Sequence, residues 1–417
     1  MIRHRFAASF LAVLSVAVCS AGCKSKHGGG SFSSTASATS TTTGGTNSGN
    51  GNGSGTGQTG PALTSVTPDK GNPYGGTAVT LLGRAFEAGS TVRFDGLAAT
   101  AVVTSGNTIT CLTPAHPAGM VDVEVVLPNG TPLRLNNAFT YDPSAGPFGR
   151  VMDSGNPTPE EHELLELLNR ARRDPPAEGR RLNLDFSQIA ARPPLTHDAL
   201  LAKAAVGHSL DMAQRAFYGH LNPDGVGPVG RILDTGYALH SRYGTDRASN
   251  TTENVGAASG NLLGTPQQVH DAFMIDAGLA VPKHRELLLG IGNFKGRRQN
   301  GFGYRKGLQS AGPYSTFITE ELAASSRDLP LILGTTYTDT TPDGLCRVGE
   351  ARPNVTVTLT HSSGFSLSTT SNAVGAFAFE VYSKGAWTLT LDGKAQALTV
   401  GDDNIKVDLV NGAVRTY

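Results

Sequence analysis

The chain has 417 residues, with 52 glycines, 16% charged residues and 6% aromatic residues. This mixture is typical of small extracellular β modules joined by flexible linkers, and the length corresponds to two to four domains. The formal net charge is zero, and loss of a leader containing Arg3 and Arg5 would leave 32 of the 34 basic residues against 34 acidic ones. Such a balance gives no electrostatic basis for nucleic-acid binding.

Residues 1–22 have the organisation of an export signal. A basic start is followed by a mostly apolar run of 13 residues, Phe6 to Val18, and then by Ser20-Ala21-Gly22-Cys23. Thirteen helical residues reach about 20 Å, short of a hydrocarbon core of about 30 Å, so we expect a cleaved signal rather than a membrane span. The ending SAGC resembles the lipobox of bacterial lipoproteins. That implies a lipid on Cys23 and anchoring to a membrane, by resemblance the Gram-negative outer membrane or cell surface; ordinary cleavage, giving a secreted protein, is the alternative.

Residues 23–60 consist of this cysteine and a segment that is almost entirely Gly, Ser, Thr and Asn. This composition predicts a flexible linker. Residues 61–142 then alternate apolar and polar side chains, as in Val121–Val125, with frequent turn signals, which predicts a β-sandwich. The stretch PALTSVTPDKGNPYGGTAVTLLGRAFEAGSTVRFDG resembles an IPT/TIG domain, which implies an Ig-like fold. We expect a spacer or binding module, with Cys111 as a buried strand residue and no disulfide framework.

Residues 150–325 change to a helical period. Thr158 and Thr265 each precede a proline and have Glu or Gln three residues later, which predicts capped helix starts. A further helix is predicted from Asp198 to Phe217, and strands are predicted at 301–305 and 314–321. A helical half that closes with strands indicates an α+β domain.

Five pieces of this segment, in order, are similar to the bacterial form of the CAP superfamily: LLNRARRDP, HSLDMAQRAFYGHLNPDG, GRILDTGY, ENVG and PKHRELLLGIGNF. The resemblance implies an α-β-α layered domain with a cleft lined by two histidines and two acids that can hold a divalent cation. Residue by residue, it assigns His220, Glu253, Asp276 and His284 to that cleft. Neutral imidazoles and carboxylates are ligand types that a zinc-like ion accepts.

The residue types leave three uses of this group open. They are a metal site with an open position, acid–base chemistry by His220, Glu253 and His284, and a hydrogen-bonded network that holds the cleft open. No Ser, Cys or Thr nucleophile stands next to a recognisable base, and no HExxH is present. Whether the protein is an enzyme therefore stays open, and ligand binding without turnover is favoured.

Other polar residues of this segment receive structural interpretations. We expect His208 to be a core histidine because it lies on the apolar stripe of its helix. By resemblance, Asn254 fixes the loop beside Glu253. Four further histidines are expected to be solvated: His162, His197, His240 and His270.

Residues 329–417 return to period two, with strands predicted at 355–359, 376–380 and 387–391. The segment resembles the small Cna-B or SD-repeat-B sandwiches of bacterial surface proteins. Its opening, DTTPDGLCRVGE, has the spacing of a calcium loop. The ligands would be Asp339, Thr341, Asp343, the Leu345 carbonyl and Glu350; an Asp-Gly turn between strands is the alternative.

The expectation is therefore a multidomain chain: an Ig-like β-sandwich, an α+β domain and a small C-terminal β-sandwich. We expect a monomer of independent domains in a row, without an organic cofactor. The favoured function is a surface-anchored CAP-type protein whose cleft binds a lipid, a peptide or a cell-wall fragment, with or without a metal. The alternatives are a metal-dependent secreted hydrolase and a non-catalytic adhesion or display protein.

Overall fold

The structure is a computed structural model that describes residues 60–277, 281–308 and 312–417. The predicted signal peptide, Cys23 and all of the predicted linker except Gly60 lie outside the described residues. The chain divides at Gly60, and Pro61–Tyr417 forms the unit considered below. Within the described ranges, no helix has the length and apolar character needed to cross a membrane.

The first module consists of strands alone, as predicted from its period-two pattern. Its strands are β1 (Ala62–Thr67), β2 (Lys70–Gly71), β3 (Ala78–Arg84), β4 (Thr91–Phe94), β5 (Leu97–Ala98), β6 (Thr100–Ser105), β7 (Thr108–Leu112), β8 (Gly119–Val126) and β9 (Pro132–Tyr141). They form two sheets, with orders β1-β3-β7-β6 and β2-β9-β8-β4-β5.

The inward side chains of these two sheets form one apolar core. Phe94, Phe139 and Tyr141 meet in edge-to-face contacts with ring centroids 5.0 to 6.4 Å apart, a favourable geometry for aromatic rings. Cys111 is buried in the same core, which confirms its interpretation as a strand residue. Burial raises the pKa of the Cys111 thiol to about 12, so it stays protonated and unreactive.

The middle segment alternates helices and strands. Strand β10 (Gly149–Val151) precedes it, and its own elements are α1 (Pro159–Arg173), α2 (Pro175–Leu182), β11 (Thr196–His197), α3 (Ala199–Gln214), α4 (Pro228–Asp234), β12 (Glu253–Ala258), α5 (Pro266–Ile275), α6 (Lys283–Leu288), β13 (Gln299–Arg305) and β14 (Thr316–Ala323). Both predicted capping boxes are present, at Thr158 and Thr265. The helix predicted to reach Phe217 ends at Gln214. Ala216 has a left-handed backbone conformation, with φ of 54°, which is incompatible with a right-handed helix.

Four of these strands form a sheet in the order β11-β13-β14-β12. Helix α3 lies so close to one face that a Cβ at Gly301 would be 2.1 Å from the backbone nitrogen of Ala202, and a Cβ at Gly303 would be 2.4 Å from the Ala205 carbonyl oxygen. The opposite face shares a buried apolar cluster with helices α1 and α5, which includes Leu164, Leu168, Val269, Phe273, Phe302 and Ile318. The two glycines thus set the spacing between α3 and the strands.

The C-terminal module is a sandwich of two sheets. It contains β15 (Leu331–Tyr337), β16 (Thr356–His361), β17 (Ser366–Thr370), β18 (Ala376–Val381), β19 (Gly385–Leu391), β20 (Lys394–Val400), β21 (Ile405–Val410) and β22 (Ala413–Thr416). The sheet orders are β10-β18-β15-β21-β22 and β17-β16-β19-β20. Strand β10 precedes the middle segment but pairs with β18, so the predicted boundary at residue 150 is wrong: residues 149–151 belong to the C-terminal sandwich.

A buried charged cluster joins the middle segment to this sandwich. Lys406 of β21 is an ion-pair partner of Asp408 on its own strand and of Glu166 on α1, whose Oε2 is 3.1 Å from the Lys406 Nζ. Burial alone would lower the pKa of Lys406, but the two carboxylates raise it, so the ammonium stays charged. Arg347 pairs in addition with Glu163 of α1 at 2.9 Å. The expectation of independent domains in a row is therefore wrong for these two parts, because charged groups buried between them must stay paired.

Candidate functional site

The first half of the site is a hydrogen-bonded pair of His220 and Glu253. His220 lies in the loop after α3, and Glu253 begins β12. The His220 Nδ1 is 2.9 Å from Glu253 Oε1. Because a carboxylate accepts, the imidazole carries its proton on Nδ1 and keeps a lone pair on Nε2. The Glu253 side chain is fully buried, whereas 39% of the His220 side chain is exposed.

Arg231 of α4 fixes this pair from the other side. Its Nη2 donates to Glu253 Oε2 at 2.5 Å, and its Nη1 donates to the carbonyl oxygens of His220 and Val226 at 2.9 Å each. One guanidinium therefore ties the carboxylate to the loop that carries the imidazole. Burial lowers the pKa of His220, and the charge of Arg231 lowers it further against the effect of Glu321, so the ring is neutral.

The second half repeats the arrangement with His284 and Asp276. Asp276 ends α5 with a left-handed backbone, φ 56°, which aspartate tolerates better than most side chains. Its buried carboxylate accepts the backbone N–H groups of His284 and Arg285 at 3.0 and 3.2 Å, and the His284 Nδ1 at 2.6 Å. The ring of His284 packs against Phe273, with centroids 5.0 Å apart. Asp276 thus orients both the first turn of α6 and its imidazole.

Asn254 connects the two halves. It follows Glu253 on β12, and its Nδ2 donates to the carbonyl oxygen of His284 at 3.2 Å and to Glu320 Oε2 at 3.1 Å. This matches the expected role of fixing the chain beside Glu253. The structure therefore places all four predicted residues around one pair of strands, but as two closed imidazole–carboxylate pairs.

The two carboxylates do not act as free ligands in this arrangement. Each acid orients a histidine through Nδ1, and no hydrogen bond among the described residues occupies Nε2 of His220 or His284. Carboxylates commonly hold metal-ligating histidines in this way. In this geometry Glu253 and Asp276 are supporting acids of the two histidines, and within the described ranges the four residues do not form a group of three or more whose ligand atoms all lie within 4.8 Å of one another.

Two buried acids next to the site escaped the sequence analysis. Glu321 of β14 is directly opposite Glu253 of β12. Burial raises the pKa of Glu253 to about 7, although Arg231 lowers it in part. Burial, together with the charge of Glu253, raises the pKa of Glu321 well above its usual range. Since one guanidinium balances one carboxylate, the pair keeps a proton at neutral pH.

The second of these acids is Glu320, the neighbour of Glu321 on β14. It is fully buried with Asn254 as its hydrogen-bond partner, and burial raises its pKa to about 8. Two consecutive glutamates inside a strand that is otherwise uncharged were the sequence signal for both acids. Without the strand register, that signal did not say which residues they would face.

His208 lies next to the pair of His220 and Glu253, with its Nε2 4.0 Å from Glu253 Oε2. It is a core histidine, as expected. Only 1% of the residue is exposed, its Nε2 is 2.9 Å from the Gly219 carbonyl oxygen, and burial lowers its pKa to about 3. The expectation that His162, His197 and His270 are solvated is wrong. They are 2 or 3% exposed. Each is buried between elements whose packing could not be predicted from the sequence.

His270 belongs to the one His–acid group within the described ranges whose three ligand atoms all lie within 4.8 Å of one another, formed with Glu178 and Asp271. Two arginines already balance these acids: Arg181 is 2.6 Å from Glu178 and also pairs with Asp271, and Arg170 is 3.2 Å from Glu178. The cluster is therefore an ion-pair network that ties α2 to α5.

The predicted calcium loop is closed by its own donors. Glu350 Oε1 accepts from the N–H and hydroxyl groups of Thr340 and Thr341, and Oε2 accepts from the Arg347 N–H. The Asp339 carboxylate accepts from the N–H groups of residues 343 and 344, and Asp343 pairs with Arg347 at 2.7 Å. In this arrangement the acidic oxygens face hydrogen-bond donors, so calcium binding here would require those contacts to open.

The all-β module at the start of the described chain is of the Ig-like class. Residues 61–141 match the IPT/TIG domain family, and this part of the chain is an IPT/TIG domain. No curated protein matches the chain by sequence.

Several solved structures are similar over short parts of the chain. The extracellular region of plexin A4 is 23% identical over 20% of this chain and 8% of that chain, with a TM-score of 0.19. Auxiliary nutrient binding proteins from Bacteroides thetaiotaomicron and Bacteroides ovatus are 22% and 25% identical, each over 20% of this chain and 21% of theirs, with TM-scores of 0.18 and 0.17. The chain thus spans about a fifth or less of the length of these proteins.

Proposed function

We propose that residues 152–325 are a CAP-type domain whose cleft binds an extracytoplasmic ligand through His220 and His284. The observation that carries this proposal is the repeated imidazole–carboxylate pair. Each ring is fixed through Nδ1 by a buried acid, so its Nε2 is held ready for a ligand or a metal. Fixing two polar groups in advance lowers the entropy lost on binding.

A divalent cation of the zinc type would be held by these two Nε2 atoms. Glu253 and Asp276 would fix the tautomer of each ring and increase its basicity. When bound, such an ion would polarise an oxygen atom of the ligand. The ligand class stays as expected from the sequence: a lipid, a peptide or a cell-wall fragment.

Metal-dependent hydrolysis is the second candidate function. The observation that favours it is the buried Glu253, which has a pKa of about 7 and lies next to the neutral imidazole of His220. A group that titrates near the working pH is suited to general acid–base chemistry. Because the sequence has no evident nucleophile, we rank ligand binding without turnover above hydrolysis.

The remaining parts support a surface role in this proposal. Cys23 would carry the lipid that anchors the protein, residues 24–60 would hold the modules away from the membrane, and the IPT/TIG domain would act as spacer or binding module. The C-terminal sandwich would be of the Cna-B or SD-repeat-B type. Calcium in the loop from Asp339 to Glu350 stays a proposal of lower rank, because its acids already have hydrogen-bond donors.

The test is metal analysis and zinc calorimetry on the full chain, with Cys23→Ser to prevent lipidation. The wild-type site should bind about one zinc ion, and His220→Ala/His284→Ala should lose that binding. His240→Ala, at a half-buried histidine outside the site, is the matched control and should bind as the wild type does.

Glu253→Gln and Asp276→Asn distinguish supporting acids from ligands. Loss of a supporting partner reduces metal affinity by about 10- to 100-fold without abolishing it. Equal zinc binding by wild type and double histidine variant would refute the metal site. Zinc-dependent ester or peptide hydrolysis that His284→Ala removes would favour the hydrolase over the binding protein.

A further inference from the structure

We draw no further inference here: the strongest candidate, the cavity of about 350 Å³ between helix α1 and strand β21 of the C-terminal sandwich, carries nothing, because Glu166, Lys406 and Asp408 at its buried side already form ion pairs through Lys406 and the other charged side chains that line it are at least partly exposed and specify no ligand.

Discussion

Replacement of Glu320 by glutamine should make the protein more stable at alkaline pH. Glu320 is fully buried on β14, where Asn254 donates one hydrogen bond to it, and burial raises its pKa from 4.5 to about 8. A glutamine has the same shape, keeps an oxygen to accept from Asn254, and never has to carry charge. The substitution therefore removes the titration and little else.

The sign and size follow from the pKa values of the two states. A group whose pKa is raised in the folded protein binds its proton more tightly there than in the unfolded chain. Its contribution to the free energy of unfolding is therefore complete below pH 4.5 and is lost as the pH rises toward about 8. Each pH unit in this interval costs about 1.4 kcal/mol. Between about pH 5 and pH 8 the wild type should therefore lose on the order of 3 kcal/mol that Glu320→Gln retains.

Urea denaturation followed by helix circular dichroism measures this difference. All six α-helices of the described residues lie between Pro159 and Leu288, so the helix signal reports the unit that contains Glu320. Glu87→Gln, at an exposed carboxylate of the IPT/TIG domain, is the control and should follow the wild type. Parallel stability curves for wild type and Glu320→Gln from about pH 5 to pH 8 would mean that Glu320 does not titrate with a raised pKa in the folded protein.

Three further substitutions, two of them paired with a control substitution, test packing and buried charge by the same assay. Arg231→Met leaves a buried carboxylate without its partner and should cost about 3 kcal/mol, whereas Arg247→Met breaks an exposed pair and should cost less than about 0.5 kcal/mol. Lys406→Met leaves two buried acids unpaired between the middle segment and the C-terminal sandwich and should cost about 3–5 kcal/mol. Gly303→Ala drives a Cβ into the backbone of α3 and should cost about 2 kcal/mol, whereas Gly207→Ala, with open space in the same helix, should stabilise by about 1 kcal/mol.

Each of these predictions has a contradicting result. Equal losses for the two arginine variants would mean that burial does not govern the pair at Glu253. A small loss for the lysine variant would mean that the charged cluster does not hold the two parts together. A stabilising alanine at position 303 would mean that α3 can move away from the sheet.

Local features of the fold could be predicted from the sequence because their partners are close along the chain. Thr158 and Thr265 cap their helices through contacts within three residues, and both capping boxes are confirmed. The period-two pattern likewise identified the strands around Cys111. In these cases the residue and its partner belong to one short segment, so the pattern contains the whole interaction.

Features that depend on distant partners could not be predicted. His162 is buried because Thr335, 173 residues later, lies 3.3 Å from its Nε2. Strand β10 joins the C-terminal sheet through a pairing of Arg150 with Glu380 across 230 residues. Neither contact leaves a periodic signal near the residue concerned, so solvation and a domain boundary were the wrong expectations.

The positions of the four candidate residues could be inferred from the sequence only in part. The motifs identified His220, Glu253, Asp276 and His284 as one set of equivalent groups, and the structure brings them to neighbouring elements. Their division into two imidazole–carboxylate pairs depends on side-chain orientation, which spacing does not encode. Glu321 was missed because only the register of β12 against β14 places it opposite Glu253.

In the proposed site, His220 and His284 present their Nε2 atoms while Glu253 and Asp276 accept hydrogen bonds from their protonated Nδ1 atoms. Nitrogen-15 NMR of the imidazoles during a zinc titration of the full chain tests this most directly. We expect the Nε2 signals of both histidines to shift together as one equivalent of zinc is added, while both Nδ1 atoms stay protonated. Nε2 signals that do not respond to zinc, or coordination through Nδ1 with loss of its proton, would contradict it.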